Sequence, residues 1–445
     1  MDKRGLLAVK ATALAVAAAF GAPSSVFAAD TSVQFYGHLD LSVDDATKGI
    51  KDPTAVGKVG WQADVSSNLS YFGVRGDHDI GGGHRMVFQM ETQVDVAATP
   101  GPSPVSQASP GNVDNKVPAA LGSRNSFLGI AGGFGAVKIG KTDAPYKLST
   151  ARMDPFSATV GDYNSIMGNS GGDNRAEFDT RLSHAIWYES NKMGGFSYSV
   201  LLAPGQNRAS DNSNNASGEP DCTGGGAIST CNDGAFGNAF SVAGVYEAGP
   251  LYGILAYELH KNTNRTGDDA SGLPPAVPPP PAPAGAVGVA DESAAKAGVQ
   301  YMVSPNTIVN VIFERLTRKA PDPNFNERQH NAYWLALTQK VTGQDDVNLG
   351  WAHAGKTPGD PGTGPIDNAA NMYTVGYKHH FDKQSNWYAV YARQANHTGA
   401  HYDLGASGHG ITTDCKDGGN GDNVKATCFT GTTLQAVSVG WMYSF

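Results

Sequence analysis

The sequence predicts an all-β chain whose sixteen antiparallel strands close into a transmembrane barrel. Segments with apolar or aromatic residues at every second position recur along the whole chain, as expected for strands with two unlike faces. The 445 residues include 56 Gly, 17 Tyr and 17 Phe but only 16% charged residues, which favours strands and turns over helices. Short turns and long polar connections alternate between these segments, as in barrels that cross a membrane.

The first 28 residues predict a signal peptide. Lys3 and Arg4 precede an apolar run from Leu6 to Phe20, and Val26-Phe27-Ala28 fits a signal-peptidase site. The run is shorter than the ~20 residues that span a bilayer, which argues against a membrane anchor. We therefore expect cleavage after Ala28, export, and a barrel domain over residues 29–445.

The charge of the remaining chain argues against nucleic acid as a partner. Cleavage leaves 29 Lys plus Arg against 40 Asp plus Glu, a formal charge of −11, whereas nucleic acid requires a basic face. The uncharged segment 271–290 contains seven prolines, which remove backbone donors and favour extended geometry. We interpret this segment as a loop, and no later segment reads as a membrane helix.

The four cysteines form two close pairs in polar segments, Cys222 with Cys231 and Cys415 with Cys428. Their proximity favours two local disulfides in an oxidising compartment, although four cysteines allow three connectivities. A metal site is the alternative, but neither pair has CxxC spacing or a nearby histidine cluster. We expect no metal and no cofactor.

The predicted strands follow one another as a first strand, seven hairpins and a last strand. The first strand is VQFYGHLDLSVD at 33–44 and the last is VSVGWMYSF at 437–445. The hairpins pair 70–77 with 84–95, 126–131 with 136–141, 183–190 with 196–202, 240–247 with 251–259, 294–303 with 308–316, 332–341 with 346–354, and 371–381 with 386–394.

Eight long connections join these units, and we expect them on the outer side of the membrane with the tight turns in the periplasm. They are 44–68, 96–122, 142–180, 203–238, 260–292, 317–328, 353–369 and 396–431. The third connection, Thr142–Thr180, has 39 residues. Closure of such a barrel removes every sheet edge, as lipid requires.

The last strand places aromatic residues at every second position up to the C-terminus. Trp441, Tyr443 and Phe445 share one face, and small or adaptable residues lie between them. Tyr, Trp and Phe are favoured where a barrel meets the membrane interface. We expect these three residues to close the lipid-facing seam and Phe445 to be the recognition end for barrel insertion. Trp61, Trp351 and Trp387 are likewise expected in interfacial girdles.

The order and spacing of several segments resemble those of a Gram-negative general porin of the β-proteobacterial type. They are VQFYGHLDL, SRNSFLGIAGGFGAVKIGK, WYES…GGFSYSV and the terminal Phe445, and the resemblance covers essentially the whole mature chain. It implies a homotrimeric channel in the outer membrane, in contact with lipid and lipopolysaccharide, through which ions and small hydrophilic solutes diffuse. It also implies that the third connection folds into the pore and narrows it.

The resemblance further implies a basic cluster on the pore wall opposite an acidic inner loop. Arg124 and Arg181 fall where the strand residues of that cluster would lie, and strand parity adds Arg75, Arg85 and Lys138. The inner loop offers Asp154, Asp162, Asp173 and Glu177 as the opposing acids. The alternative for each basic residue is a strand-end charge at the aqueous rim, and a register error of one residue reverses the face.

Arg124 is expected to point inward because side chains alternate along a strand and Phe127 and Gly129 are expected to point outward. From the basic cluster we expect a mild preference for anions.

Enzymatic function is not expected, and we select no catalytic residue. Ser183 and His184 are neighbours on one strand and point to opposite faces, and the sequence contains neither GxSxG nor HExxH. A substrate-specific porin, or a barrel whose long loops bind a surface partner, remain the alternatives to a general diffusion channel.

Overall fold

The structure is a computed structural model that describes residues 31–47, 61–97, 122–168, 178–204, 238–264, 289–318, 329–356, 367, 369–398, 400, 402, 404, 431 and 433–445. The predicted signal peptide, the four cysteines, Asp173 and Glu177 lie outside these ranges. Among the described residues, no helix is both long and apolar enough to cross a membrane.

Most of the described chain is β-strand. The strands are β1 (Thr31–Thr47), β2 (Trp61–Ser67), β3 (Tyr71–Gly81), β4 (His84–Gln93), β5 (Ser126–Gly132), β6 (Gly135–Asp143), β7 (Arg181–Glu189), β8 (Phe196–Pro204), β9 (Asn238–Ala248), β10 (Leu251–Asn264), β11 (Val289–Ser304), β12 (Thr307–Arg318), β13 (Gln329–Lys340), β14 (Asp345–Ala354), β15 (Ala370–His380), β16 (Ser385–Asn396) and β17 (Thr433–Ser444). The third connection contains helix α1 (Pro145–Leu148) and two 3-10 turns (Ala151–Met153 and Tyr163–Ser165). Because β11 begins at Val289, the last two residues of the loop predicted at 271–290 are strand.

One antiparallel sheet contains all the described strands, and its two ends meet. From β3 to β17 each strand pairs with the next along the chain, and β1 pairs with β17 from His38↔Ser444 to Ala46↔Ala436. Beyond that ladder, the backbone amide of Gly37 donates to the Phe445 carbonyl, and the Phe445 amide donates back, both at 3.0 Å. The predicted closed barrel is confirmed.

β2 and β3 are two halves of one barrel strand. β2 pairs with the second half of β1 and β3 with its first half. Between them Leu69 has φ 54°, and Asn68 Nδ2 donates to Asp40 Oδ1 at 3.1 Å and to Ser42 Oγ at 3.0 Å. With these halves counted together, the prediction of sixteen strands is confirmed. The connection expected at 44–68 is too long at both ends, because 44–47 and 61–67 are strand.

Side chains alternate across the barrel wall, as β1 shows. Val33, Phe35 and Val43 are exposed on the outer face, whereas Asp40 and Asp44 are buried on the inner face. The apolar side chains therefore meet lipid and the polar ones point to the lumen.

The outward face predicted for Phe127 and Gly129 is wrong. Gly129 pairs with Lys138, Lys138 pairs with Trp187, and the Phe127 ring meets the Trp187 ring edge to face with centroids 5.4 Å apart. Leu128, between them, is exposed on the outer face instead. Phe127 points inward because an aromatic partner is available on the inner wall.

Candidate functional site

The third connection enters the barrel and packs on one side of its inner wall. Met153, Phe156 and Tyr163 are buried there against Trp334 of β13. The Trp334 ring centroid lies 6.2 Å from that of Phe156 and 5.8 Å from that of Tyr163, and its Nε1 donates to the Met153 carbonyl at 3.1 Å. The expectation of an inward-folded third connection is confirmed.

Two glycines of the wall receive the Phe156 ring. A Cβ atom at Gly376 of β15 would lie 2.8 Å from Phe156 Cε1, and one at Gly350 of β14 would lie 2.8 Å from Cε2. Real Cβ atoms do not approach other atoms so closely. The absence of a side chain at these positions lets the third connection lie directly on the strand backbone.

A buried group of charges ties the third connection to β11 and β12. Lys296 Nζ lies 2.6 Å and 2.8 Å from the carboxylate oxygens of Asp179, 3.1 Å from Thr150 Oγ1, and 4.0 Å from the centroid of the Tyr146 ring. Glu314 accepts from the Tyr146 hydroxyl and from the Gly168 amide, the latter at 2.7 Å. Both ends of the described connection are therefore bound to the same part of the wall.

Further hydrogen bonds fix the backbone of the connection near its start. The Tyr252 hydroxyl donates to the Ser149 carbonyl at 2.8 Å, and the Tyr146 amide donates to Ser241 Oγ at 3.0 Å. At the other end, the Phe178 ring stacks on His260 with centroids 4.6 Å apart. These contacts hold the connection against β9 to β15, on one half of the barrel.

The opposite half of the wall carries the predicted arginines. Arg124 Nε lies 2.6 Å from Glu91 Oε1, and its guanidinium carbon lies 4.6 Å from the centroid of the Tyr71 ring. Arg181 donates from Nε to Asn125 Oδ1 at 2.9 Å, and its Nη2 lies 3.1 Å from Asp143 Oδ1. The two arginines thus lie in one network with Glu91 and Asp143.

Among the residues that the structure describes, the charges of this network leave one excess cation. Lys147 joins it through Asp143, with Nζ 3.2 Å from Oδ1, so three basic groups meet the carboxylates of Glu91 and Asp143. The Arg124 and Arg181 side chains are only 13% and 6% exposed. Both guanidinium groups are therefore largely buried in the network.

The other basic candidates lie on the same wall, each beside an aromatic ring or a carboxylate. Arg75 Nε donates to Gln34 Oε1 at 3.0 Å, with its guanidinium carbon 4.6 Å from the centroid of the Tyr36 ring. Lys138 Nζ lies 2.7 Å from Glu189 Oε2. Arg85 contacts Asp77 close to the short turn after β3 and is largely exposed.

The two predicted acids of the third connection that the structure describes, Asp154 and Asp162, bind its own backbone. Asp154 accepts from the amides of Phe156 at 2.9 Å and Tyr163 at 3.1 Å. Asp162 accepts from the amides of Ala158 and Asn164, both at 2.9 Å. Both carboxyls are buried, and burial next to Asp162 raises the pKa of Asp154 well above its usual value. Among the described residues, the acids in contact with the arginines are Glu91 and Asp143.

Sequence reasoning missed several charged residues of the inner face. Lys296 and Lys378 lie at inward positions of β11 and β15, across from Glu314 and Tyr388. Strand alternation could have identified both lysines, because Gly298 lies two residues from Lys296 and Gly376 lies two residues from Lys378 on the same inner face. No sequence pattern indicated the contact between Lys296 and Asp179, because 117 residues separate them.

Sequence comparison connects the chain to one family. The family described as Gram-negative porin matches residues 11–399. Major outer membrane protein P.IB of Neisseria gonorrhoeae is 26% identical over 211 residues, 47% of this chain and 50% of that protein. P.IA of Neisseria meningitidis serogroup A is 29% identical over 146 residues, 33% of this chain and 31% of that protein. The chain thus spans half or less of the length of these curated relatives.

Several solved structures share the fold. An anion-selective porin from Comamonas acidovorans aligns with a TM-score of 0.64 at 19% identity, over 93% of this chain and 100% of the other. OmpT of Vibrio cholerae aligns with a TM-score of 0.58 at 13% identity, over 94% and 99%. Salmonella typhi OmpF, in complex with daunomycin, aligns with a TM-score of 0.53 at 14% identity, over 94% and 98%.

The family match covers most of the chain, and the structure is a closed sixteen-stranded barrel that matches porin structures. The chain belongs to the Gram-negative porin family and lies in the outer membrane.

Proposed function

We propose that this chain forms a water-filled channel for passive diffusion of ions and small hydrophilic solutes across the outer membrane. The observation that carries the proposal is a sixteen-stranded barrel with a polar inner face and a single described connection packed to one side of its lumen. Side chains of the wall do not fill a barrel of this size, so a path for water remains.

The constriction, in this proposal, is the gap between the third connection and the wall of β3 to β7. The connection is bound to β9 to β15, and the order of strands around the sheet sets β3 to β7 across the lumen. Charges that border a narrow aqueous gap with low-dielectric walls act on passing ions, because screening at physiological salt extends over roughly 8 Å. Arg124 and Arg181 belong to this wall.

We further propose a mild preference for anions. Asp154 and Asp162 are buried and bound to backbone amides of their own connection, so they offset little of the positive wall. The network of Arg124, Arg181 and Lys147 carries one charge more than Glu91 and Asp143 supply. A structural neighbour is an anion-selective porin, which supports the same direction.

The assembly we propose is a homotrimer embedded in outer-membrane lipid and lipopolysaccharide. OmpT of Vibrio cholerae, a neighbour in fold, has been solved in a trimer form. An SDS-resistant band that collapses to monomer on heating is the expected result, and a monomer without heating contradicts it.

Diffusion through a pore requires no catalytic residue, metal or cofactor, and we propose no enzymatic activity. The signal peptide and the two disulfides remain part of the proposal.

Planar-bilayer recording under a salt gradient tests the channel and its selectivity together. We expect stepwise current increases and a small reversal potential of the sign given by anion permeation. Purified chain that is folded by its heat shift but gives no current steps contradicts the channel. A reversal potential of the opposite sign contradicts only the proposed preference.

A further inference from the structure

The lumen surface of the third connection carries a cation. The residues of this connection that the structure describes are 142–168 and 178–180, and the exposed ones among them are Leu148, Ala151, Arg152 and Ser157. Asp154, one of the acids that the sequence suggested for this surface, is buried. Arg152 is therefore the one charged residue among the exposed side chains of the described connection.

The Arg152 guanidinium is held against the wall at the short-turn side of the connection. Its Nη1 lies 2.7 Å from Glu247 Oε1, and its central carbon lies 4.4 Å from the centroid of the Tyr252 ring. Glu247 is the last residue but one of β9 and Tyr252 is the second residue of β10, so both lie next to the short turn between these strands. A carboxylate at one edge and an aromatic ring on one face fix the orientation of the guanidinium.

Hydrogen bonds to the neighbouring backbone fix the point from which this side chain extends. Gln300 Nε2 donates to the Arg152 carbonyl at 3.3 Å and to Asn310 Oδ1 at 2.7 Å. The next carbonyl, that of Met153, accepts from Trp334 Nε1 at 3.1 Å. Because side chain and backbone are both held in place, little further side-chain freedom is lost when an anion binds the guanidinium.

The guanidinium keeps donors for such an anion. An arginine side chain has five N–H groups, and no residue that the structure describes accepts from Nε or Nη2 of Arg152, whose side chain is 49% exposed. Lys192 Nζ lies 2.9 Å from the other carboxylate oxygen of Glu247. Two cations thus share one carboxylate, and this group of described residues carries a net positive charge.

The two wall arginines are less suited to direct contact with a solute. Arg124 is 13% exposed and its Nε lies 2.6 Å from a carboxylate oxygen of Glu91. Arg181 is 6% exposed, with Nε bound to Asn125 and Nη2 beside a carboxylate. Arg152 is several times more accessible, and it extends from the connection rather than from the wall across the lumen.

We propose that Arg152 binds the carboxylate or phosphate groups of anionic solutes as they pass the third connection. Two neighbouring N–H groups of a guanidinium match two oxygens of a carboxylate or phosphate, whereas a chloride ion offers a single centre. Leu148 and Ala151 expose apolar surface on the same connection, which suits small organic anions. The inference rests on the proposed channel and adds a preferred class of solute and the residue that contacts it.

Block of the chloride current by added anions tests the proposal in planar bilayers. Succinate and inorganic phosphate are the probes, each added at constant ionic strength, and the measured quantity is the half-blocking concentration. Arg152→Gln removes the guanidinium, and Arg152→Lys keeps the charge but lacks the planar paired donors. The control is Lys340→Gln, because Lys340 is an exposed cation at the short-turn end of β13.

We expect Arg152→Gln to raise the half-blocking concentration by about threefold or more and Arg152→Lys by roughly twofold, because a point charge does not replace the paired donors. The control should match wild type. A rise with both probes supports recognition of their shared chemistry, and a rise with one probe supports the site and identifies the group that it prefers. The heat shift and the chloride conductance without a probe report whether each variant is folded and open.

Two results would overturn the proposal. One is a wild-type half-blocking concentration for both probes in Arg152→Gln, with chloride conductance intact. The other is a wild-type value in Arg152→Lys, which would mean that charge alone acts on the solute and the paired donors do not bind it. A folded wild-type chain without current steps would instead contradict the channel itself, and this inference would fail with it.

Discussion

Lys296 and Asp179 form a buried ion pair between the barrel wall and the third connection. Lys296 Nζ lies 2.6 Å from Asp179 Oδ1 and 2.8 Å from Oδ2, and neither side chain is exposed. Glu314 lies 3.9 Å from the same ammonium and also binds the connection through Tyr146 and Gly168. The width of the proposed pore therefore depends on a small group of charges that water does not reach.

Replacing Lys296 with Met should release the third connection. The change leaves Asp179 and Glu314 without their buried cation, and loss of one partner from a buried pair destabilises by ~3–5 kcal/mol. We expect a lower temperature of heat-induced unfolding and a noisier single-channel current. Lys340→Met is the control, since Lys340 is exposed at the end of β13. Unchanged unfolding temperature and current in Lys296→Met would show that the pair does not hold the connection.

Alanine at Gly376 should displace Phe156 from the wall. The new methyl group would lie 2.8 Å from the ring, and overpacking of this kind costs about 1–3 kcal/mol. We expect a lower unfolding temperature and an altered conductance, with partial recovery when Phe156→Leu is added. Gly343→Ala is the control, because no atom lies within 4 Å of a Cβ atom placed there. The absence of recovery in the double variant would mean that Phe156 is not the residue under strain.

Removal of positive charge at Arg124 and Arg181 should move the reversal potential toward cations. Glutamine is the suitable replacement, because a carboxylate would lie against Glu91 and Asp143. Lys192→Gln is the control: this lysine is exposed in a short turn and pairs with Glu247 at 2.9 Å. If the reversal potential of the double variant equals that of wild type while conductance is intact, both arginines lie outside the constriction.

Deletion of Phe445 should lower the amount of barrel in the outer membrane. The residue exchanges two backbone hydrogen bonds with Gly37, and a Cβ atom at Gly37 would lie 2.4 Å from its ring, so it covers the seam closely. The measurement is the yield of heat-modifiable protein in outer-membrane fractions. Phe381→Ser is the control, since this exposed phenylalanine lies in a short turn. Insertion of the truncated chain at wild-type level would refute the role of Phe445 in assembly.

Local alternation determined the barrel. Because each strand of a transmembrane barrel places one face in lipid and the other in the lumen, its sequence alternates regardless of its neighbours. The first strand, the hairpins and the closing strand were therefore recognisable from sequence, and so was the pairing of β1 with β17. Only β2 was missed. It is short and is separated from β3 by Asn68, Leu69 and Ser70, a break that the alternation pattern does not contain.

Strand parity failed where the backbone is irregular or the lumen is apolar. Arg124 precedes β5, which begins at Ser126, so parity counted back from Phe127 does not apply to it. Arg124 contacts Glu91 and Tyr71, although Phe127, from which its direction was counted, had been assigned to the outer face and points inward. An apolar residue usually faces lipid in such a strand, but Phe127 has Trp187 as an inner partner, and only the assembled wall shows this.

The sequence by itself determined the strands other than β2 and the order of the connections, because these follow from short-range periodicity and spacing, whereas Arg124 and Arg181 were selected from the resemblance to the porin family. Tertiary structure alone decided which groups meet inside the barrel. Asp154 and Asp162 turn to amides of their own connection, while Glu91 and Asp143 become the partners of the arginines. Lys296 reaches Asp179 across 117 residues of chain. A buried charge is stable only beside a suitable partner, and closure of the barrel determines which partners are within reach.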